Sequence, residues 1–508
     1  MNRKTLALCL LSAVLPDICA RAASQGMILP HPRVPGDAAS SDFISVMVDG
    51  VPVEACTTVM NVGYAHFSFT GTVKVEITVK EAIRTFDLSP HRYAVMAKAE
   101  GSKLTFELSE PRKLHLQVNG LTRFFIFADG PDTSTPRLGQ PGVYDVKVYG
   151  VKCTPDTVQT AALQRAIDDV ASKRGVLLVP PGIYRTGELR MKSNLTLHLE
   201  AGAILKGTGS LADHPAGEFG TQLIYFLDCA HVRIQGRGVI DCQGRALRLG
   251  ARKSSQSRCK LIRSYRASQC VVEDVILRDS GTWGVHLVES ENLRFSNFKL
   301  ISTTKHDDPA FPWELNTDGI DPDNSSHVLI ENGFISCNDD GVAVKLRYGK
   351  RRDMDDIQVR SNVIWTMKSA LVIGTEVAER TLSNVVFENN EVVHADRGMS
   401  MNCYFGGSIV GPKWINNYFE FIGGDLKRMH MEMKIRDEEG KGRVRDVLIQ
   451  DNTFERECEN RSRLQGLDAE HAITGVTIEN LVIAGRKRTR AEDAGIEVSR
   501  HVSGVTFK

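Results

Sequence analysis

The sequence predicts an all-β protein in which a small β-sandwich precedes a parallel β-helix. Short apolar strands recur about every 20 to 35 residues over the larger, C-terminal part of the chain, and β-only repeats at such a period are typical of a solenoid of stacked coils. The N-terminal part instead alternates apolar and polar residues and is broken by Asp-Gly, Asn-Gly and Pro, as in hairpins. Glycine, with 43 residues spread along the chain, also suits strands and turns better than helices.

The first 22 residues have the pattern of a secretory signal peptide. Arg3 and Lys4 form a basic start, an apolar run from Leu6 to Leu15 follows, and residues 20–22 (ARA) resemble a cleavage site. The run is too short to span a bilayer. We therefore expect a secreted or periplasmic protein without a membrane span.

Composition argues against a nucleic-acid partner and indicates no cofactor. The chain has 508 residues, of which 25% are charged, and a net charge of +1, so no strongly basic surface is expected. Eleven cysteines include two in the signal peptide, and the others form no CxxC pair, so neither a metal site nor a disulfide framework is predicted. Cys229, Cys270 and Cys337 lie in apolar strand-like segments, and we expect them to be buried.

Residues 27–140 are predicted to form the sandwich. Lys74–Val79 and Lys113–Val118 alternate apolar and polar residues, so each strand would bury one face. Residues 131–141 are rich in Pro, Gly and Thr and are the expected linker.

Residues 143–508 are predicted to form the β-helix. A helix at 157–172, capped by Asp156, is expected to cover the open N-terminal end of the core with an apolar stripe. The stripe consists of Ala161, Leu163, Ala166, Ile167, Val170 and Ala171. The repeated strands are 232–234, 271–275, 293–295, 328–332, 357–359, 385–389, 447–452 and 476–480. Asn recurs where these units end, which indicates an inward amide ladder at a turn of the coil.

Carboxylates concentrate in two short stretches, Asn316–Asp323 (NTDGIDPD) and Asn338–Gly341 (NDDG). Alignment of the repeats puts Asp318 one coil before Asp340, and stacked coils lie ~4.8 Å apart, so Asp318, Asp339 and Asp340 can converge on one groove. Like charges in one site raise each other's pKa, which suggests a function for the cluster. Glycosidic cleavage needs a protonated carboxyl on the leaving oxygen and a second carboxylate to activate water or to attack. Two acids sharing the base role against a third favour inversion.

The segment Asn316–Lys345 (NTDGIDPDNSSHVLIENGFISCNDDGVAVK) resembles glycoside hydrolase family 28, the polygalacturonase family of right-handed β-helices. The similarity extends over roughly residues 143–480. The resemblance implies that Asp339 is the general acid and that Asp318 and Asp340 hold the attacking water. It also suggests exo action, because Val372–Glu376 looks like the segment of exo-acting members. The predicted ligands of a polysaccharide or oligosaccharide substrate are Trp283, His286, Asn316, Lys345, Glu376, Arg397 and Asn402.

Two departures from the family pattern concern the substrate. The family's Gly-His-Gly is Lys368-Ser369-Ala370 here, and its Arg-Ile-Lys is Ser400-Met401-Asn402. The missing Arg and Lys are the family's ligands for the uronate carboxylate, as their charge and geometry suit. The sequence therefore favours a neutral or differently decorated sugar, unless Arg397, Lys345 or Lys368 supplies the cation.

Other functions stay open at this point. The chain could be a polygalacturonase or galacturonidase that uses different cations, a lyase that uses Ca²⁺ with Arg397 as its base, or a carbohydrate-binding protein without activity. Trp313-Glu314 suits sugar stacking or plain packing, and Lys305–Asp308 suits a solvated loop. On the strand Met431–Arg436 the outward side chains Glu432, Lys434 and Arg436 face either the groove or solvent, and we expect solvent.

Overall fold

The structure of the chain, a computed structural model, describes residues 27–508. Excepted are 33, 38, 60–61, 121, 133–134, 216–219, 252–257, 303–315, 348, 351 and 424–425. The predicted signal peptide, Lys305–Asp308 and Trp313-Glu314 lie outside the described residues. Among the helices that are described, none combines the length and the apolar character that crossing a membrane requires.

Two mostly antiparallel sheets form the N-terminal sandwich. The larger sheet contains Ile28–Pro30, Ala39–Ser40, Ala55–Val59, Val62–Phe69, Phe86–Ser89, Arg112–Val118 and Thr122–Asp129. The smaller contains Ile44–Val48, Val51–Val53, Val73–Val79, Lys98–Glu100 and Lys103–Leu108. Alternate residues of Val73–Val79 are buried, as the period-two pattern predicts.

The remaining strands form a right-handed parallel β-helix with three long sheets, here numbered I to III. Sheet I contains Val143–Asp145, Val176–Val179, Thr196–Leu199, Arg233–Gly236, Ser268–Glu273, Glu291–Ser296, Ser326–Glu331, Met354–Arg360, Thr381–Glu388, Ser408–Val410, Lys413–Ile415, Arg443–Gln450, Ile473–Glu479 and Val502–Phe507. Sheet II contains Gly182–Thr186, Ala203–Gly207, Val239–Asp241, Ile276–Arg278, Lys299–Ile301, Phe334–Cys337, Val363–Thr366, Glu391–Ala395, Tyr418–Ile422, Thr453–Phe454, Val482–Ile483 and Arg486–Lys487. Sheet III contains Leu189–Arg190, Gln222–Leu227, Lys260–Tyr265, Val285–Val288, Ile320–Asp323, Val342–Leu346, Ser369–Ala378, Arg397–Phe405, Met429–Gly440, Ser462–Gln465 and Ile496–Val498.

All eight repeat units noted in the sequence fall in sheet I, so the repeat prediction is confirmed. One continuous apolar core runs along the axis, and Cys229, Cys270 and Cys337 are buried in it as predicted. The amide ladder also exists, although only Asn452 belongs to the units that suggested it. The buried Asn390 accepts from the backbone N and Nδ2 of Asn362, Asn417 accepts from those of Asn390, and Asn452 from those of Asn417, all at 2.9–3.0 Å.

The α-helix at the N-terminal end is Thr160–Ser172, three residues shorter than predicted at its start. Its N-cap is Gln159 and not Asp156, because the backbone N of Gln159 donates to Arg185 O at 2.7 Å and ties this residue to the first coil. Leu163, Ala166, Ile167, Val170 and Ala171 are buried, whereas Ala161 is exposed and does not belong to the stripe. A second α-helix, Gly244–Ala251, and three 3-10 turns, His91–Tyr93, Val146–Tyr149 and Leu211–Asp213, complete the helical elements described.

The sandwich packs on the outer face of sheet II. Phe125 and Phe127 lie 4.6 and 5.1 Å from the ring of Phe334. Beside these rings, the buried Asp129 carboxylate accepts from Lys299 Nζ at 2.5 Å and from Arg237 Nη1 at 2.8 Å. The apolar and ionic contacts join the sandwich to the β-helix and place it against sheet II.

Candidate active site

Three carboxylates converge at the start of two neighbouring strands of sheet III. Ile320 pairs with Val342 across these strands, so Asp318 lies opposite Asp340, as the sequence alignment predicts. Single oxygens of Asp318, Asp339 and Asp340 all lie within 4.8 Å of one another. The coil repeat therefore brings together acids that are distant in the sequence.

Backbone and amide donors fix two of these side chains. Asp339 Oδ1 accepts from the backbone N of Asp340 at 3.0 Å, and Oδ2 accepts from Asn316 Nδ2 at 2.9 Å. Asp340 Oδ1 accepts from the backbone N of Ser369 on the next coil at 3.0 Å. Asn316, predicted as a substrate ligand, thus contacts the predicted general acid directly.

Burial and charge oppose the ionisation of Asp318. Its side chain is buried, and Oδ1 has no hydrogen-bond partner within the described residues. Burial raises the pKa of Asp318 well above its usual value, and the charges of Asp321 and Asp339 raise it further, against the opposing effect of Lys345. The site therefore favours a retained proton.

Asp318→Asn is expected to stabilise the fold at pH 7 and to stabilise it less at pH 4. Because the pKa of Asp318 is higher in the folded than in the unfolded chain, the folded protein binds more protons in the window between the two values, and stability falls as pH rises through that window. Asn removes this loss. Melting temperatures of both proteins at the two pH values test the prediction, with the exposed Asp437→Asn as control. A variant that melts below the wild type at pH 7 would contradict it.

Sequence reasoning missed Asp321, which lies on the outer face of the strand Ile320–Asp323. Neither of its carboxylate oxygens has a hydrogen-bond partner within the described residues. Burial raises its pKa well above the usual value, although Lys345 opposes this. The period-two spacing of Asp321 and Asp323 in the sequence was the available signal, since both must share one face.

Lys345 is the cation beside these acids. Its Nζ lies 3.7 Å from Asp318 Oδ2 and 3.3 Å from Glu376 Oε2. Burial opposes its charge, but Asp321, Asp318 and Glu376 outweigh burial and raise its pKa well above the usual value. Burial likewise opposes the charge of Glu376, yet Lys345 leaves the pKa of that carboxyl lowered. The predicted ligands Lys345 and Glu376 thus form one ion-paired group with the catalytic candidates.

Trp283 and His286 lie one coil upstream, as predicted. Lys345 Nζ stands 4.5 Å from the ring centroid of Trp283, and the rings of Trp283 and His286 meet edge to face at 4.8 Å. His286 is buried, with Nε2 3.2 Å from Asp323 Oδ2. Burial and nearby cations, led by Lys260, lower its pKa well below the usual value. The site therefore favours a neutral His286, which packs against the partly exposed Trp283.

The prediction that Glu432 and Lys434 face solvent is wrong. Both are buried, with 0% and 3% of their surface exposed, and only Arg436 is exposed. Arg397 Nη1 lies 3.1 Å from Glu432 Oε2, and Lys427 and Lys434 also pair with this carboxylate. Burial opposes the charge of Glu432, but these cations leave its pKa lowered to about 2.

Strand register links this cationic group to the acids. Ser369 pairs with Arg397, and Asn402 pairs with Lys434 one coil further on. Asn402 itself donates to Ser400 Oγ at 2.8 Å and accepts from the Tyr404 hydroxyl at 2.9 Å. Among its described contacts, Asn402 therefore supports the groove wall and does not reach the three acids.

The three acids also have the donor set of a cation site, which the Ca²⁺-dependent lyase alternative requires. Lys345 already places a positive charge 3.7 Å from Asp318. Arg397, the base of that alternative, is ion-paired with Glu432. The arrangement suits acid–base hydrolysis better than lyase chemistry.

The fold and this site can be compared with known proteins. The sequence model of glycosyl hydrolases family 28 matches residues 171–416. An exo-poly-alpha-D-galacturonosidase of Dickeya chrysanthemi is 24% identical over 343 residues, which cover 54% of this chain and 55% of the relative. The structure of an exopolygalacturonase from Thermotoga maritima matches with a TM-score of 0.57 and 22% identity, over 72% of this chain and 91% of the other. Dex49A from Penicillium minioluteum matches with a TM-score of 0.57 and 11% identity, over 94% and 96%.

The structural matches place the chain among the right-handed parallel β-helix proteins. The chain is polygalacturonase-like and resembles glycosyl hydrolases family 28 over the matched residues. It departs from the family pattern at residues 368–370 and 400–402, which replace two motifs. The chain spans about half of the length of the curated relatives it matches.

Proposed function

We propose that this protein is a glycoside hydrolase that cleaves a pectin-like polysaccharide bearing uronate groups. The observation that carries the proposal is the convergence of Asp318, Asp339 and Asp340 within 4.8 Å of one another. Hydrolysis needs a carboxyl that donates a proton and a carboxylate that acts on water or on the sugar. Secretion through residues 1–22 is part of the proposal, since such a polymer lies outside the cell.

Asp339 is the general acid in this mechanism, and Asp318 and Asp340 hold the attacking water. The raised pKa of Asp318 supports a proton that stays in the cluster at neutral pH. Inversion is the proposed outcome. Oxygens within 4.8 Å are closer than the ~6.5–9.5 Å typical of inverting pairs. The support for inversion is instead the third acid, because it leaves two side chains, Asp318 and Asp340, to orient one water.

The charges around Glu432 support an anionic sugar. Arg397, Lys427 and Lys434 surround this carboxylate, and Arg397 Nε also lies 3.7 Å from Asp396 Oδ2, so the three cations outnumber the two carboxylates. A cleft of about 440 Å³ opens beside them and is lined by residues that include Lys427, Glu432, Lys434 and Arg463. Arg397 lies on the same strand as residues 400–402, which replace the family's Arg and Lys, and Lys434 lies on the next coil. Together these cations support a carboxylate site that the sequence alone placed in doubt.

Arg397→Ala and Lys434→Ala are each expected to raise KM for polygalacturonate about 10- to 100-fold, because each removes a charged hydrogen-bond donor worth ~1.5–3 kcal/mol. Arg436→Ala is the matched control, since Arg436 follows Lys434 on the same strand but is exposed. Initial rates over a range of polygalacturonate concentrations give the measurement. Equal KM values for all three variants would show that Arg397 and Lys434 do not bind the substrate.

Product analysis tests the proposed function. The purified protein is incubated with polygalacturonate, methyl-esterified pectin and a neutral dextran, and NMR follows the anomeric protons of the first product. We expect release from polygalacturonate with inverted configuration, as mono- or disaccharides if the enzyme acts from the chain end. Unsaturated products that absorb in the ultraviolet would identify a lyase and overturn the proposal.

Cleavage of a neutral glycan is the second candidate. Ser369, Ser400 and Asn402 favour it, because they replace charged or basic residues of the family with neutral hydrogen-bonding groups. Dextran cleavage without activity on polygalacturonate would select this candidate.

A further inference from the structure

A second cluster of ionisable side chains lies where the sandwich meets the β-helix. Asp87 belongs to the sandwich strand Phe86–Ser89, and His91 begins the turn His91–Tyr93 that follows it. Glu420 comes from the sheet II strand Tyr418–Ile422. One ligand atom from each of the three residues lies within 4.8 Å of the others. Both domains therefore contribute to the cluster.

The three atoms have a spacing close to that of metal ligands. His91 Nε2 lies 2.7 Å from Asp87 Oδ1 and 3.7 Å from Glu420 Oε2. Ligands bound to Zn²⁺ at about 2.0–2.2 Å in a tetrahedron are separated from one another by roughly 3.3–3.5 Å. To admit the ion, Asp87 Oδ1 would move away from His91 Nε2 by roughly 0.6–0.8 Å, which a rotation of this half-exposed side chain can supply.

The side chain of Glu420 is independent evidence for a bound cation. Its side chain is only 3% exposed, and Oε1 accepts from the backbone N of His91 at 2.5 Å. Oε2, which points at His91 Nε2, has no hydrogen-bond partner within the described residues. A buried carboxylate oxygen left in this way is costly, and a bound cation would compensate it.

The other ring nitrogen of His91 is held as metal-binding histidines usually are. Nδ1 lies 2.8 Å from Glu455 Oε2, on the segment after the strand Thr453–Phe454. A carboxylate that accepts from Nδ1 orients the ring. Nε2 donates to Asp87 Oδ1 at 2.7 Å, and this hydrogen bond and the neighbouring carboxylates raise the pKa of His91 to about 9, so an ion bound here displaces the Nε2 proton. The Asp87 side chain is 47% exposed, which leaves an entry path and an open position for water.

We propose that Asp87, His91 and Glu420 bind one divalent transition-metal ion of the Zn²⁺ class, with Glu455 orienting His91. One imidazole with carboxylate oxygens suits such an ion better than Ca²⁺ or Mg²⁺, which prefer oxygen ligands alone. No local sequence pattern indicates the site, because His91 and Glu420 are 329 residues apart. The ion would tie the sandwich to sheet II.

Calorimetric titration of the full chain with ZnCl₂ tests the proposal. Asp339→Asn serves as the background, so that binding to the three acids of the groove is weakened. We expect one Zn²⁺ per chain in this background and no measurable binding at the site after a further Glu420→Gln or His91→Gln. Glu455→Gln is expected to weaken binding about 10- to 100-fold. In the Asp339→Asn background, added ZnCl₂ should raise the melting temperature, and a further Glu420→Gln should abolish that rise.

Visible absorption of bound Co²⁺ reports directly on the metal ligands, and a substitution that only disturbs the fold does not test them in this way. Co²⁺ bound in place of Zn²⁺ should show visible absorption that His91→Gln abolishes. Absence of Zn²⁺ binding in the wild type, or equal binding in the Glu420→Gln and His91→Gln variants, would overturn the proposal. If Glu420→Gln fails to fold, the Zn²⁺ binding of His91→Gln and Glu455→Gln tests the proposal instead. Polysaccharide turnover enters none of these measurements, so they are independent of the proposed hydrolase.

Discussion

Asp339→Asn is expected to lower the turnover of the cleaved polysaccharide by about 10²- to 10⁴-fold, the usual effect of losing a general acid or base. Asn is nearly isosteric and keeps an oxygen that can accept from the backbone N of Asp340, a hydrogen bond of 3.0 Å in the wild type. It has no proton to give to a leaving oxygen. The loss should therefore appear in kcat, with little change in KM or in melting temperature.

Initial rates on the best substrate and melting curves make the measurement, and Asp437→Asn provides the control. Asp437 is an exposed Asp on the strand Met429–Gly440 of the same sheet, so it reports what an Asp-to-Asn change costs outside the groove. Wild-type turnover in Asp339→Asn would show that these acids do not perform the reaction. Asp318→Asn and Asp340→Asn should also reduce kcat, because both are proposed to hold the water.

Asp129→Asn is expected to cost about 3–5 kcal/mol of unfolding free energy, because it removes one partner of a buried ion group and leaves the other charges unpaired. Asp129 Oδ2 receives Lys299 Nζ, Arg237 Nη1 and His66 Nε2 at 2.5, 2.8 and 2.7 Å. Lys299 is fully buried, and burial lowers its pKa despite the pull of Asp129. Without that carboxylate the ammonium has no described anion at contact distance.

Urea unfolding followed by fluorescence tests this prediction. Lys299→Met in the Asp129→Asn background should recover part of the loss, since the unpaired ammonium is then replaced by an apolar chain of similar length. Asp446→Asn, at an exposed position of the strand Arg443–Gln450, is the control. An Asp129→Asn variant as stable as the wild type would mean that the ion group contributes little to the docking of the two domains.

Local sequence patterns predicted the coils and the convergence of Asp318, Asp339 and Asp340. Each repeat unit buries its own apolar side chains, so periodicity alone identifies the strand. Asp318 and Asp340 could be placed opposite each other because the coil repeat fixes register, and Ile320 does pair with Val342. The helix start was less accurate, because a backbone hydrogen bond from Gln159 to Arg185 decides it, and no local pattern encodes that contact.

The environment of outward side chains could not be predicted in the same way. Alternation on Met429–Gly440 gives the correct face for Glu432 and Lys434, but an outward side chain on sheet III enters a groove whose walls come from other coils. The docking of the sandwich could not be predicted for the same reason, since Asp129 and Lys299 are separated by 170 residues. Contacts at such separations follow from the complete fold only.

The amide ladder from Asn362 to Asn452 favours insertions, deletions and replacements that comprise one whole coil. Each Asn completes the hydrogen bonding of the preceding turn, so a change of one or two residues within a coil would break two neighbouring turns at once. Insertion or removal of a whole coil would leave the stack continuous. Groove residues could accordingly be replaced in blocks of one coil, which makes substrate preference in this architecture a modular property.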